Sequence, residues 1–209
     1  MTATQTPLEL YHQHAARWQN CQGCDLCAQR KQVVLARGAV PCDLMLVGEA
    51  PGMSEDVLGL PFVGPAGKLL DQIVERALSR WRVGDNGLTY NRVSHCFANL
   101  VACFPKEAKQ TDNHEPAPEE IEACAPRLRQ FVEIADPGII VAVGRLADDW
   151  LHLALADTKF DPSGLGTKPW VQVTHPAAIL RMPAAQQSMA ARKCIITIEA
   201  AVKKHRGET

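Results

Sequence analysis

A chain of 209 residues, 46% of them hydrophobic, with a net charge of -1, holds enough apolar material for one well-buried core. No apolar run approaches the roughly 18 residues of a membrane span, and MTATQTPLELYHQHAARW lacks the basic start and apolar block of a secretory signal. A cytoplasmic protein without membrane contact is expected; the near-neutral charge does not bear on nucleic acid, since phosphate binding needs local basic groups rather than a basic average.

Residues 7 to about 20 read as a short amphipathic helix with Leu8, Leu10, Tyr11, Ala15 and Trp18 on its inner face. The run CQGCDLC follows at once. Eight cysteines (Cys21, Cys24, Cys27, Cys42, Cys96, Cys103, Cys124 and Cys194) without a signal peptide point to metal or redox use rather than disulfides. The overlapping C-x-x-C units carry most of that signal, in two registers, with Cys27 the rival of Cys21 and Cys24. Cys42, Cys96 and Cys194 read as ordinary buried thiols.

DLMLVG (43–48) reads as a buried parallel strand. It leads into VGEAPGMSEDVLGLPFVGPAG (47–67), whose five glycines, three prolines and three acids exceed what simple turns need. Glycine also lets a ligand approach the backbone, so this loop is expected to wrap one. It holds neither G-x-G-x-x-G nor G-K-S/T, which argues against a nucleotide. Next come a helix over 66–78, a strand within 93–103 and a polar, proline-containing stretch. A helix over 118–135, a strand over 137–144, the helix RLADDWLHLAL, a strand over 170–175 and a helix over 184–204 complete the chain.

Strands alternating with helices predict a three-layer α/β/α sandwich around a four-stranded, mostly parallel sheet. Ligands of such sheets bind outside the carboxyl ends of the strands. There lie GEAPG after the first strand, Asn99 at the second and HPAAILR after the last. An amide at Asn99 offers both donor and acceptor, Glu49 a carboxylate against a strand end, and His175 a donor in a His-Pro turn.

Taken in order, GEAPGMSED, PFVGPAGKLL, NLVAC, PEEIEAC and HPAAILR resemble the uracil-DNA glycosylase superfamily, in its family 4 branch, over roughly residues 18 to 200. The resemblance implies one domain over 1–209 that flips uracil out of DNA and hydrolyses its N-glycosidic bond. It implies Phe62 stacking on the base, Asn99 reading its Watson–Crick edge, and Ala50 and Glu55 in the base pocket. Glu49 and His175 would be catalytic. Ile179 or Leu180 would wedge into the stack and Arg181 would take phosphates. It also implies a [4Fe–4S] cluster on Cys21, Cys24, Cys103 and Cys124, clipping the segment 1–30 to the rest. Four thiolates suit zinc equally well by count. The partner expected is DNA bearing uracil or a related pyrimidine lesion, and the protein is expected to act as a monomer.

The chain departs from the family in places. SHCFAN stands where the family has V-Y-I-T-N, the stretch WRVGDNGLTYNRVSH is long, and His114 lies in an extended segment between Cys103 and Cys124. A modified pyrimidine is therefore an alternative substrate, and a non-catalytic DNA-binding or interaction module an alternative class. A crosslinking relative is disfavoured, because GEAPG replaces its GEQPG and the basic histidine loop is missing.

Overall fold

A computed structural model describes residues 5–81, 93–105, 115–156 and 168–208. The long 81–95 stretch lies mostly outside those residues, and His114 lies wholly outside them.

Helix α1 (Pro7–Trp18) opens the chain, started by Thr6 and Glu9 in a reciprocal capping box with Pro7 at its first position. After it come β1 (Ala36–Gly38), β2 (Leu44–Gly48), α2 (Met53–Leu58), α3 (Pro65–Ala77) and β3 (His95–Asn99). Then follow α4 (Pro118–Ala135), β4 (Ile139–Val143), α5 (Arg145–Ala156), β5 (Trp170–Val173), α6 (Pro176–Leu180) and α7 (Ala184–His205). The strand order is β1-β3-β2-β4-β5, parallel except that β1 runs antiparallel to β3.

The sheet thus has five strands, not four. The additional one, β1, is a three-residue edge strand containing arginine and glycine, too short and too polar to carry a period-two pattern. The inner face expected for α1 also needs correction. Leu8 is exposed, and His14 is the buried residue; the Trp18 Nε1–H donates to Oε1 of Gln130 on α4, and His14 Nδ1 meets the same oxygen.

Strand alternation produces the three layers. Met45, Val47, Cys96, Ala98, Ile140 and Ala142 face the core beneath α4 and α5. Leu44, Leu46, Phe97, Ile139, Val141 and Val143 face the opposite core, with α3 and α7. The period of two delivers neighbouring residues to opposite faces, so strands apolar throughout need helices on both sides. Among the described residues, no helix is long and apolar enough to cross a membrane.

Candidate active site

The parallel strands end on one rim. Gly48 closes β2 and stands opposite Asn99, which closes β3; Gly144 follows β4, and His175 lies two residues past β5. A Cβ on Gly48 would stand 2.6 Å from Asn99 Oδ1 and in hard contact with the ring edge of Phe62. The absence of a side chain there is what lets the Phe62 ring and the Asn99 amide both close on the Gly48 backbone. Asn99 is buried, and its main-chain carbonyl accepts from Arg127.

Phe62 holds a left-handed backbone, φ 56°, which is costly for an aromatic residue and persists only where its surroundings impose it. Three features impose it here. Arg37 of β1 donates from Nε to the Pro61 carbonyl at 2.7 Å and from Nη2 to the Phe62 carbonyl at 3.2 Å. The same guanidinium pairs with Asp71 at 2.6 Å and lies 3.8 Å above the Phe97 ring. Gly67, in the first turn of α3, lets the Phe62 backbone pass where a Cβ would collide with its carbonyl.

The third feature is Glu55, which is buried and whose carboxylate gathers the glycine-rich loop. Oε1 accepts from the backbone N–H groups of Val63 and Gly64 at 3.0 and 2.8 Å, and Oε2 from that of Gly52 at 3.2 Å. With three amides on it, this side chain shapes the loop from within. Its neighbour Asp56 accepts from the backbone of Lys31 at 2.8 Å, tying the loop to the segment after the cysteine run. Ala50 is half-buried against the α4 and α5 core.

His175 caps α6, and its Nδ1 accepts the N–H of Ala177 at 3.2 Å. With Nδ1 accepting, the ring proton sits on Nε2, which becomes a donor. Burial holds the imidazole pKa below its ordinary value, and Arg181 adds to the effect, so the ring is neutral at neutral pH. Burial pushes the half-buried Glu49 carboxyl up, and Glu115 pushes it further; Arg145 and Arg181 oppose both. These charges therefore gather around one rim.

The HPAAILR segment separates its two apolar candidates. Ile179 is fully buried in the core with α3 and α7 and cannot reach DNA, which corrects its expected place on the DNA surface. Leu180 is 42% exposed and Arg181 is exposed.

On the opposite side of β3, Cys21, Cys24, Cys103 and Cys124 line one cavity, and Cys27 is not part of its wall. Burial pushes the Cys103 thiol up to about 11, against the pull of Arg30, whose Nη1 lies 3.5 Å from its Sγ; Cys124 and Cys24 contribute further upward pressure. Among the described residues, no three His, Cys, Asp or Glu side chains converge tightly enough to hold a single metal ion. Arg127 also lines the cavity and is buried, and among the described residues its Nε and Nη1 have no hydrogen-bond partner.

The Uracil DNA glycosylase superfamily model matches residues 36–198. The chain belongs to that superfamily. Its type-4 branch is marked by the relatives. A type-4 uracil-DNA glycosylase of Pyrobaculum aerophilum is 39% identical over 178 residues, covering 79% of this chain and 82% of that protein. One from Thermotoga maritima is 33% identical, covering 83% and 84%, and one from Archaeoglobus fulgidus is 30% identical, covering 78% and 80%. The superfamily match spans Glu49, Phe62, Asn99, Cys103, Cys124 and His175; α1, Cys21 and Cys24 lie before it.

Sequence reasoning passed over three residues of this glycosylase site. Arg37 gave no signal, because a lone arginine in a three-residue strand resembles any surface cation. Gly144 was visible as the glycine ending PGIIVAVG, but not its contact with His175. Arg127 gave no signal within the helical run 118–135, and it is buried.

Proposed function

We propose that this chain is a monofunctional uracil-DNA glycosylase that hydrolyses the N-glycosidic bond of uracil in DNA and leaves an abasic site. The observation that carries the reading is the close approach of both the Phe62 ring and the Asn99 amide to the Gly48 backbone, on the rim that also bears His175. A base cannot be attacked within the stack, so it must be extruded into a pocket that offers a π-face and edge recognition. Phe62 supplies the face. The Asn99 amide donates to uracil O4 and accepts from N3–H, a pairing the amino group of cytosine would refuse.

As the glycosidic bond breaks, its electron pair passes to the base and positive charge develops on the sugar. The His175 Nε2–H donates to O2 of the departing anion, a preorganised contact that strengthens as charge builds. Glu49 faces the cationic sugar, orients the water that adds to C1′ and takes up the proton that this water releases. Glu55 positions the loop carrying Phe62, and Ala50 forms part of the pocket wall. Leu180 fills the gap left by the base and Arg181 takes a phosphate.

A [4Fe–4S] cluster is the reading that the cysteine cavity supports. Four thiols share one wall rather than one point, and the unpartnered nitrogens of Arg127 suit an anionic group with sulfur acceptors. Cys21, Cys24, Cys103 and Cys124 would hold it. When bound, the cluster supplies metal–thiolate bonds that join the segment 1–30 to Cys103 and α4.

The test uses the full chain on single- and double-stranded oligonucleotides carrying one uracil, followed by alkali. Strand scission at uracil is expected, reduced by at least roughly a hundredfold in His175→Ala and Asn99→Ala with DNA affinity changed far less. No scission with uracil or any substituted pyrimidine would refute the enzymatic reading. Near-normal turnover of either variant would refute the pocket assignment.

A further inference from the structure

We propose that Arg127 is a positioning residue through which the group held by the four cysteines fixes the base-reading Asn99. The inference rests on the pocket and cluster assignments above and adds a physical link between them.

Arg127 is 1% exposed. It lies three residues after Cys124 on α4, a spacing that places both on one helix face. From Nη2 it donates to the main-chain carbonyl of Asn99 at 2.5 Å and to that of Leu100 at 2.9 Å. Among the described residues its Nε and Nη1 have no hydrogen-bond partner and no carboxylate is paired with it. One end of this guanidinium therefore grips the strand end that carries the base reader. Arg127 also lines the wall shared with the cysteines.

A buried guanidinium without an anion is strongly destabilising, and each buried N–H left without an acceptor adds to the cost. Four thiolates around an iron–sulfur core carry net negative charge and present sulfur acceptors, which answers both deficits at once. The chain also connects the two sites directly, since the five residues from Asn99 to Cys103 are all buried. A cluster in the cavity holds Arg127, Arg127 holds the Asn99 and Leu100 carbonyls, and the direction of the Asn99 amide follows. Lysine preserves the charge but lacks the fork that reaches both carbonyls and the cavity.

The test compares anaerobically purified wild type, Arg127→Met and Arg127→Lys for iron per chain, cluster reduction potential, and kcat and KM on a uracil oligonucleotide. In Arg127→Met the potential is expected to move to more negative values, because a nearby cation that favoured the reduced cluster is gone. Its kcat is expected to fall about tenfold or more, with KM changed much less, since the lost contact aims a group acting in the transition state. Arg127→Lys is expected to keep the wild-type potential and recover only part of kcat. An iron-loaded Arg127→Met with unchanged potential or unchanged kcat overturns this inference alone. If Arg127→Met does not accumulate with iron, Arg127→Lys decides, and wild-type kcat in that variant overturns the inference. A wild-type chain that turns over uracil but binds no iron overturns the cluster reading and this one with it, leaving the glycosylase reading intact.

Discussion

His175 packs directly over Gly144: a Cβ on that glycine would stand 3.1 Å from the histidine Cβ and 3.3 Å from its Cδ2. Gly144 also holds φ 99°, a conformation that side-chain-bearing residues resist. Gly144→Ala therefore strains the backbone and displaces the imidazole by a few tenths of an ångström. The expected outcome is a loss of about 1–2 kcal/mol in urea unfolding together with a kcat lowered roughly tenfold. Wild-type kcat in a destabilised variant would show that the position of His175 does not limit the reaction.

Arg37→Ala tests the clamp on the stacking residue. The guanidinium bonds two successive carbonyls, pairs with Asp71 and covers the Phe97 ring, whose centroid lies 5.7 Å from that of Phe62. Without it, the left-handed turn at Phe62 loses the groups that impose it. A fall of about tenfold in kcat/KM on uracil DNA is expected, with Arg37→Lys intermediate because it keeps the cation but not the fork. Equal kcat/KM in wild type and Arg37→Ala would remove Arg37 from the site.

How much of this was legible depends on the range of the interactions. The parallel strands announced themselves through LMLV and IIVAV, because a strand covered on both faces must be apolar throughout. The rim residues were legible because strand ends are where such sheets bind ligands. Edge strand β1 was not, since three residues carry no period. Ile179 and Leu180 are adjacent and chemically alike, and only the packing of α6 against α3 and α7 decides which faces out. Arg127 carried no such signal, because what buries it is a pair of backbone carbonyls 27 and 28 residues away. Glu55 was placed in the base pocket, whereas its carboxylate is taken up by the amides of Gly52, Val63 and Gly64 within its own loop.

The cysteine register is open to a direct check. Cys21, Cys24, Cys103 and Cys124 line the shared cavity, whereas Cys27 is left out of it, its N–H donating to the Cys24 carbonyl at 3.1 Å. Anaerobically purified protein is expected to be brown, to absorb near roughly 400 nm and to hold about four irons. Alanine at any of the four should bleach and destabilise it, because the binding free energy of a metal centre is partly folding free energy. Cys27→Ala should keep the colour. Bleaching by Cys27→Ala but not by Cys21→Ala would shift the ligand set along the run, and a colourless protein with stoichiometric zinc would exclude the iron–sulfur centre.

Stability against acid should report on His14. Burial drives its imidazole pKa down from 6.5 to about 4, its bond to Gln130 opposes that, and Arg127 and Arg17 add to the depression. Between these two values the unfolded chain binds a proton that the folded chain refuses. Stability contributed by the neutral ring is therefore complete above pH 6.5 and falls as pH drops towards about 4, where the slope ends. The full span is on the order of 3 kcal/mol, reduced wherever the fold relaxes to let water reach the ring. His14→Gln carries no titrating group and retains a polar side chain to face Gln130. Urea midpoints of wild type and His14→Gln, measured in matched buffers, should thus converge as pH falls through this window, with wild type losing more. Parallel midpoints across the window would mean that His14 takes up its proton without leaving its place between α1 and α4.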